Sequence, residues 1–364
     1  MRFLPEPPHV HGRPDLTGVL VCNLGTPNAP TAAALRRYLG EFLSDPRVVE
    51  IPPAAWKPLL HGLILRTRPA RSAAKYARIW TPEGSPLRVW TEKQAKQLQG
   101  YLGERGHRGV KVAWAMRYGQ PSIASQLDAL KAAGATRVLV LPLYPQYSGT
   151  TTASVADAVQ AWAARTRTLP ELRFVNRYHD HPAYIDALVK RIGQHWMTHG
   201  RPDKLLMSFH GVPRRTLELG DPYHCECHKT ARLVAYKLGL SQDSYLVSFQ
   251  SRFGKARWLE PYTEPSLRDL ARQGVKRVDV VCPGFVSDCI ETLEEINLEG
   301  RQAFMAAGGG EFHYIPCLND QHAWIAALAA IAEQHLAGWP TQAAADAREM
   351  SDQAERARQL GARA

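Results

Sequence analysis

The chain has 364 residues, long enough for two ordinary domains with full cores, and 45% hydrophobic with 22% charged residues is a globular composition. A net charge of +11 favours acidic partners: carboxylate ligands, anionic lipid or nucleic acid. Nucleic acid is set aside, because no Lys/Arg block interleaves with aromatics and no binding module is recognisable.

At the N-terminus, M-R-F-L-P-E-P-P-H lacks the apolar core of a signal peptide. Residues 18–24 (G-V-L-V-C-N-L) form a short apolar run ending in G-T-P, which predicts a buried strand followed by a turn. A helix is expected over 31–43. Residues 44–90 differ, being rich in Pro, Arg and Trp around P-L-L-H-G-L-I-L (58–65). Regular alternation then resumes. Strands are predicted at 110–116, 137–143, 172–177, 204–209, 245–250, 277–282 and 312–316. Helices are predicted at 91–103, 121–133, 151–165, 182–199, 225–238, 264–273, 288–306 and 320–337. Such alternation predicts an α/β fold with parallel sheets. The longest apolar run, 323–332, falls short of the roughly 18 residues a spanning helix needs and reads as a packed helix. Cysteines at 22, 225, 227, 282, 289 and 317 are scattered, several in predicted strands, which is the usage of a reducing cytoplasm. The stretch 341–364 is Ala/Arg/Glu/Gln-rich and predicts a solvent-exposed tail helix without chemistry.

A faint internal repeat runs through this pattern. L-V-C-N-L-G-T-P (20–27) is similar to L-M-S-F-H-G-V-P (206–213), and L-D-A-L-K-A-A-G-A-T-R-V-L-V (127–140) to L-R-D-L-A-R-Q-G-V-K-R-V-D-V (267–280). The offset falls from 186 to 140, so the first half carries 46 extra residues, where the 44–90 segment sits. The expected architecture is two similar Rossmann-like α/β domains facing one another across a cleft. Residues 1–165 form the first, with an inserted lid or lip at 44–90; 166–340 form the second. Leu24 and His210 then occupy equivalent strand ends and face each other.

The chemistry concentrates after two strands. His210 follows L-L-M-S-F, at the C-terminal strand end where open α/β sheets place ligands, and suits a base or a metal ligand. S-D-C-I-E-T-L-E-E-I-N-L-E (287–299) follows the strand within V-D-V-V-C-P-G-F (278–285). Wound as an α-helix, it sets Asp288, Glu291, Glu295 and Glu299 within an arc of roughly 80°, with Glu294 off that face. Like charges one turn apart repel, so the row needs solvent or a cation. Asp288 and Glu291 fit a capping box, which accounts for the first turn but not for Glu295 or Glu299. We read the row as a proton- or metal-handling line.

M-R-Y-G-Q-P (116–121) and Y-P-Q-Y-S-G-T-T-T (144–152) end two further strands, and the second contains a Gly/Thr turn of the kind that can hold a phosphate. Neither nucleotide-loop pattern is present. S-R-F-G-K-A-R-W-L-E-P (251–261), bounded by Ser251 and holding Trp258, adds cations. A cleft with basic and aromatic rims and one acid/histidine wall suits a flat, apolar ligand with carboxylate tails. H-C-E-C-H (224–228) looks like a metal motif, but zinc sites space cysteines C-x₂-C and need a second half, so a surface segment is expected. In the insert, Trp56, Leu59, Leu60, Leu63, Ile64 and Leu65 precede Arg66, Arg68 and Arg71. We expect the apolar side chains to meet the ligand or a membrane surface. Arg68 and Arg71 would pair with the ligand's carboxylates.

Together the residues resemble the ferrochelatase family, which inserts ferrous iron into a porphyrin at the end of haem synthesis. The resemblance spans about 16–337. It rests on N-L-G-T-P (23–27), G-S-P-L (84–87), W-T-E-K-Q (90–94), M-R-Y-G (116–119), Y-P-Q-Y-S (144–148), S-F-H-G-V-P (208–213), G-D-P-Y (220–223), W-L-E-P (258–261) and S-D-C-I-E-T-L-E-E-I (287–296). It implies two four-stranded parallel-sheet domains with a porphyrin cleft between them. His210 and Glu291 would be the catalytic pair, and His210, Glu291 and Glu295 would meet the metal. Leu24, Arg117, Tyr118 and Trp258, with Ser251 on the same rim, would hold the porphyrin. The substrates implied are Fe2+ and protoporphyrin IX, with no cofactor required. A 2Fe–2S cluster of the kind some relatives bind is not expected, since the tail holds no cysteine. Animal relatives carry a histidine where this chain has Cys289. The expected location is the cytoplasm, with peripheral contact at the inner face of the membrane. Coproporphyrin or cobalt insertion, and a non-catalytic tetrapyrrole-binding protein, are the alternative readings.

Overall fold

The apolar run near the N-terminus forms β1 (Leu16–Gly25), buried on both faces as an inner strand of a parallel sheet must be. In the computed structural model the described residues are 3, 5, 6, 9–342 and 347–362. After β1 come α1 (Ala32–Phe42), α2 (Pro53–Leu59), a π-helical turn (Leu60–Ile64), α3 (Leu65–Ile79) and α4 (Pro86–Glu104). Then follow β2 (Val110–Tyr118), α5 (Ile123–Ala132), β3 (Ala135–Pro142), α6 (Thr152–Ala163) and β4 (Glu171–Phe174). The second half runs α7 (Pro182–His199), β5 (Lys204–His210), α8 (Arg214–Glu218), α9 (Tyr223–Lys237), β6 (Tyr245–Gln250), α10 (Thr263–Arg272) and β7 (Arg277–Val281). A π-helix (Glu291–Gly300) leads into α11 (Arg301–Ala306), then β8 (Glu311–Tyr314), α12 (His322–Leu336) and the tail helix α13 (Ala347–Gln359).

The two sheets repeat one plan. Their strand orders are β2-β1-β3-β4 and β6-β5-β7-β8, all parallel. The similar stretches of sequence fall on β1 and β5, and on α5–β3 and α10–β7, so the repeat is structural. The expected boundary at 165/166 is corrected: Glu171–Phe174 is the fourth strand of the first sheet. Nor is 166–340 a separate core. Helix α7 packs on α9 while α12 returns to α4 and β3, and one apolar cluster joins Val19 and Leu139 to Met207, Phe209 and Trp324. The long apolar run of α12 is the helix that spans this junction, with Trp324, Ile325 and Leu328 fully buried.

The extra residues of the first half fold as α2, the π-helical turn and α3. Leu60 and Leu65 join a core with Leu35, Tyr38 and Leu39 of α1, so these two belong to packing rather than to a lid surface. Leu59 and Leu63 remain 44% and 55% exposed. At both equivalent strand ends a glycine lets backbones close up. A Cβ on Gly25 (φ +118°) would stand 1.8 Å from the Tyr118 carbonyl, and one on Gly211 2.7 Å from that of Gln250.

Candidate active site

The facing ends of β1 and β5 enclose a cavity of about 160 Å³, with Leu24 on one wall and His210, Phe285 and Glu291 on the other. Val48, Thr150, Pro213, Phe253 and Trp258 line both it and an adjoining groove of about 1040 Å³. The inner cavity alone is below the roughly 300–1,000 Å³ of a small-molecule site, but the two together are ample. The walls are mostly apolar, which suits a flat hydrophobic ligand.

Short motifs far apart in sequence build this frame. Thr26 Oγ1 of N-L-G-T-P donates to Ser85 Oγ of G-S-P-L at 2.7 Å, and Asn23 Nδ2 donates to Thr91 Oγ1 at 3.0 Å. Gln94 Nε2 donates to the carbonyls of Val286 (3.0 Å) and Asn319 (2.7 Å), tying the first half to the loop that starts the acidic helix. These contacts were not legible in sequence, because each joins residues brought together only by the fold.

His210 is half-buried, with Nδ1 2.6 Å from the carbonyl of Gly211. A carbonyl only accepts, so the neutral ring carries its proton on Nδ1 and keeps the Nε2 lone pair. Gln250 Nε2 donates to the Glu291 carbonyl (2.8 Å), anchoring the start of the acidic helix beside the end of β6. Glu295 is gripped by Ser251, whose backbone N–H and Oγ each donate at 2.6 Å to its two oxygens. Ser251 reaches both through a left-handed backbone, φ +67°. Burial pushes the Glu295 carboxyl above its usual range, opposed by the Ser251 bonds and by the nearby His210. Ser251, expected on the porphyrin rim, therefore holds Glu295 and does not line the cavity.

The acidic row itself is corrected. Residues 291–300 wind as a π-helix, with i→i+5 hydrogen bonds, so side chains five apart come together as well as those four apart. Glu294 and Glu299, five apart, share Lys75 of α3 at 3.1 and 2.7 Å, and Glu294 also takes Arg78 at 2.9 Å. Glu294 is buried there. The carboxylates thus divide: Glu291 lines the cavity, Glu295 is held by Ser251, and Glu294 and Glu299 face the insert. Asp288 belongs to neither set. Buried, it accepts from Asn319 Nδ2 (2.6 Å), Tyr314 Oη and Thr292 Oγ1 (3.1 Å), holding the loop before the helix. Cys289 is buried on the cavity wall, and burial pushes its thiol well up.

Arg117 and Tyr118 also move from their expected place. Both bind Asp45 Oδ2 at 2.7 Å, Ser154 Oγ joins them at 2.6 Å, and neither residue lines the cavity or the groove. Burial works against the Asp45 carboxylate, yet Ser154, Tyr118 and the Arg117 charge hold it below its usual range. The Gly/Thr turn does bind an anion, but from its own chain: Gly149 N–H and Ser148 Oγ donate to Asp221 Oδ2 at 2.7 and 3.2 Å. H-C-E-C-H opens α9 with Cys225 exposed and Cys227 buried, pointing apart. Its central Glu226 accepts from Tyr147 N–H (2.7 Å) and Arg177 (2.6 Å), clamping the Y-P-Q-Y-S loop.

At the mouth, Arg68 and Arg71 line the outer groove, and the Arg68 guanidinium lies 5.7 Å from the Phe253 ring centre. Phe253 in turn meets Trp258 edge to face at 4.9 Å. Among the described residues no helix is long and apolar enough to cross a membrane.

Two repeated parallel sheets, with an imidazole and half-buried carboxylates at their facing ends, define a protein of the chelatase class. SirB from Bacillus subtilis with Fe3+ has the same fold at a TM-score of 0.53 and 12% identity, covering 88% of this chain and 96% of that one. A multi-domain Deinococcus radiodurans protein with structural similarity to chelatases matches at 0.50 and 12% identity, over 92% of this chain and 57% of that chain. The chain belongs to the ferrochelatase family, whose sequence model matches residues 16–336. It is 69% identical to the ferrochelatase of Methylibium petroleiphilum over 100% of both chains. Identity to the ferrochelatase of a Polaromonas species is 66%, again over 100% of both.

Proposed function

We infer that this protein inserts Fe2+ into protoporphyrin IX, forming protohaem and releasing two protons, the last step of haem synthesis. The observation that carries the reading is His210 at the cavity wall, its Nδ1 committed to Gly211 and its Nε2 lone pair free, with Glu291 and Glu295 nearby. The macrocycle must lose two pyrrole N–H protons as the metal enters. Neutral imidazole, with a reference pKa of about 6.5, accepts one near neutral pH. Glu291 and Glu295 take protons onward and supply oxygens in place of the hydration shell of Fe2+. Leu24 and Trp258 press on the macrocycle from opposite halves, favouring a bent ring whose lone pairs the metal can reach.

Arg68 and Arg71 at the groove are the pairing groups for propionates, since guanidinium matches carboxylate bidentately. The exposed Leu59 and Leu63 beside the exposed arginines 66, 68 and 71 give the lip a weak, peripheral affinity for an anionic bilayer, about 1 kcal/mol per basic residue. This lip supports a reading of peripheral contact at the inner face of the membrane. The test is anaerobic incubation of the purified chain with Fe2+ and either protoporphyrin or coproporphyrin, following the porphyrin absorbance bands. Turnover of protoporphyrin supports the assignment. Faster turnover of coproporphyrin reassigns the substrate, and no turnover of either removes the activity.

A further inference from the structure

The cleft lies at the C-terminal ends of the strands; a cluster of three histidines lies at the other end of the second sheet. His195 and His199, one turn apart at the end of α7, meet His313 of β8. Ring centres are 4.2 Å apart for His195–His199, 5.0 Å for His199–His313 and 5.3 Å for His195–His313. His313 pairs with Asp279, which is in register with Leu205, so the cluster is five residues, about 16 Å, down the strand direction from His210.

We propose that His195, His199 and His313 form a second metal site, for a divalent transition ion of zinc-like softness. Each histidine offers one ring nitrogen, and the three nitrogens lie within 4.8 Å of one another. Ligands around one zinc at about 2.0–2.1 Å stand about 3.3 Å apart, so modest ring rotations close the site. Stacking alone would account for the rings but not for their nitrogens. His195 Nε2 is buried without a hydrogen-bond partner, a cost that a native fold rarely leaves unmet. The nearest carboxylate, Asp279 at 3.6 Å, is already bound to Arg277 (3.0 Å) and Trp196 Nε1 (2.9 Å).

The surroundings also orient the ligands. His199 Nδ1 donates to the His195 carbonyl at 3.0 Å, leaving Nε2 for a metal. Glu311 Oε1 stands 2.5 Å from His313 Nε2, a carboxylate placed to orient that ring or to supply an oxygen. Imidazole nitrogens favour Zn2+, Ni2+, Co2+ and Cu2+ over Fe2+, so the site holds ions that compete with iron, remote from the cleft. A bound ion would also tie the last turn of α7 to β8.

The experiment is equilibrium dialysis of the full chain against Zn2+, with and without His199→Gln, an exposed position whose substitution spares the core. The His199→Gln chain should bind one equivalent fewer, or bind that equivalent at least tenfold more weakly, with unchanged kcat/KM for iron insertion. Adding His210→Ala and Glu295→Gln, which disable the cleft, should leave the zinc equivalent that depends on His199 in place. His313→Gln in that background should abolish it and the accompanying zinc-dependent rise in Tm. Zinc stoichiometry and affinity unaffected by both His199→Gln and His313→Gln would overturn the proposal.

Discussion

Lys75 of the insert and Glu294 of the π-helix meet at 3.1 Å, although 219 residues separate them in the chain. The lysine is half exposed and the glutamate buried. The contact fastens the added segment of the first half to the acidic helix of the second, so cleft wall and lip are mechanically joined.

Glu294→Gln should therefore act on stability. Weakening a buried, charge-assisted pair whose cationic partners stay solvated costs about 1–3 kcal/mol, read by denaturant titration. Glu291→Gln should do the opposite, reducing kcat for iron insertion more than tenfold with little change in stability. Equal activity losses at both positions would return the stretch to a merely acidic face.

His210→Ala should abolish insertion while porphyrin affinity and fold persist. Among the described residues its side chain makes one hydrogen bond, to the Gly211 carbonyl, so little packing depends on it. Steady-state rates decide the matter: more than about a tenth of wild-type turnover would remove His210 as the essential base.

Ser251→Gly isolates the hydroxyl, because glycine accepts φ +67° and keeps the backbone N–H bond to Glu295. Losing the Oγ donor destabilises the charged carboxylate, so the Glu295 pKa, already raised by burial, climbs further. If insertion needs that carboxylate as an acceptor, the acidic limb of kcat/KM against pH should move up by about one unit. An unmoved limb would leave Ser251 with packing alone.

Replacing Arg68 and Arg71 with Ala should raise KM for a dicarboxylate porphyrin more than for its dimethyl ester. Equal effects would show that the two arginines do not read carboxylates. The same variant should also sediment less with anionic vesicles, while binding to neutral vesicles stays as it was.

Much of the molecule was present in local patterns. Alternating apolar runs and amphipathic stretches located the eight strands and most helices within a few residues, and the repeat foretold that β1 and β5 would be equivalent. His210 was legible because a polar side chain at the end of a buried parallel strand has few places to go but the cleft, and Glu291 because its helix starts beyond the end of another such strand. Tertiary structure alone decided the rest. A 100° periodicity cannot announce a π-helix, nor that Lys75 and Arg78 would meet Glu294 and Ser251 would meet Glu295 from distant segments. For the same reason Glu294 looked idle, Asp288 looked like part of the row, and Arg117 and Tyr118 looked like cleft residues until Asp45 and Ser154 came beside them. The boundary at 165 failed because β4, beyond it in sequence, completes the first sheet, and α12 packs into one apolar core with both halves. Sequence reports the period and chemistry of neighbours along the chain; which charge meets which partner is set by packing, and packing is non-local.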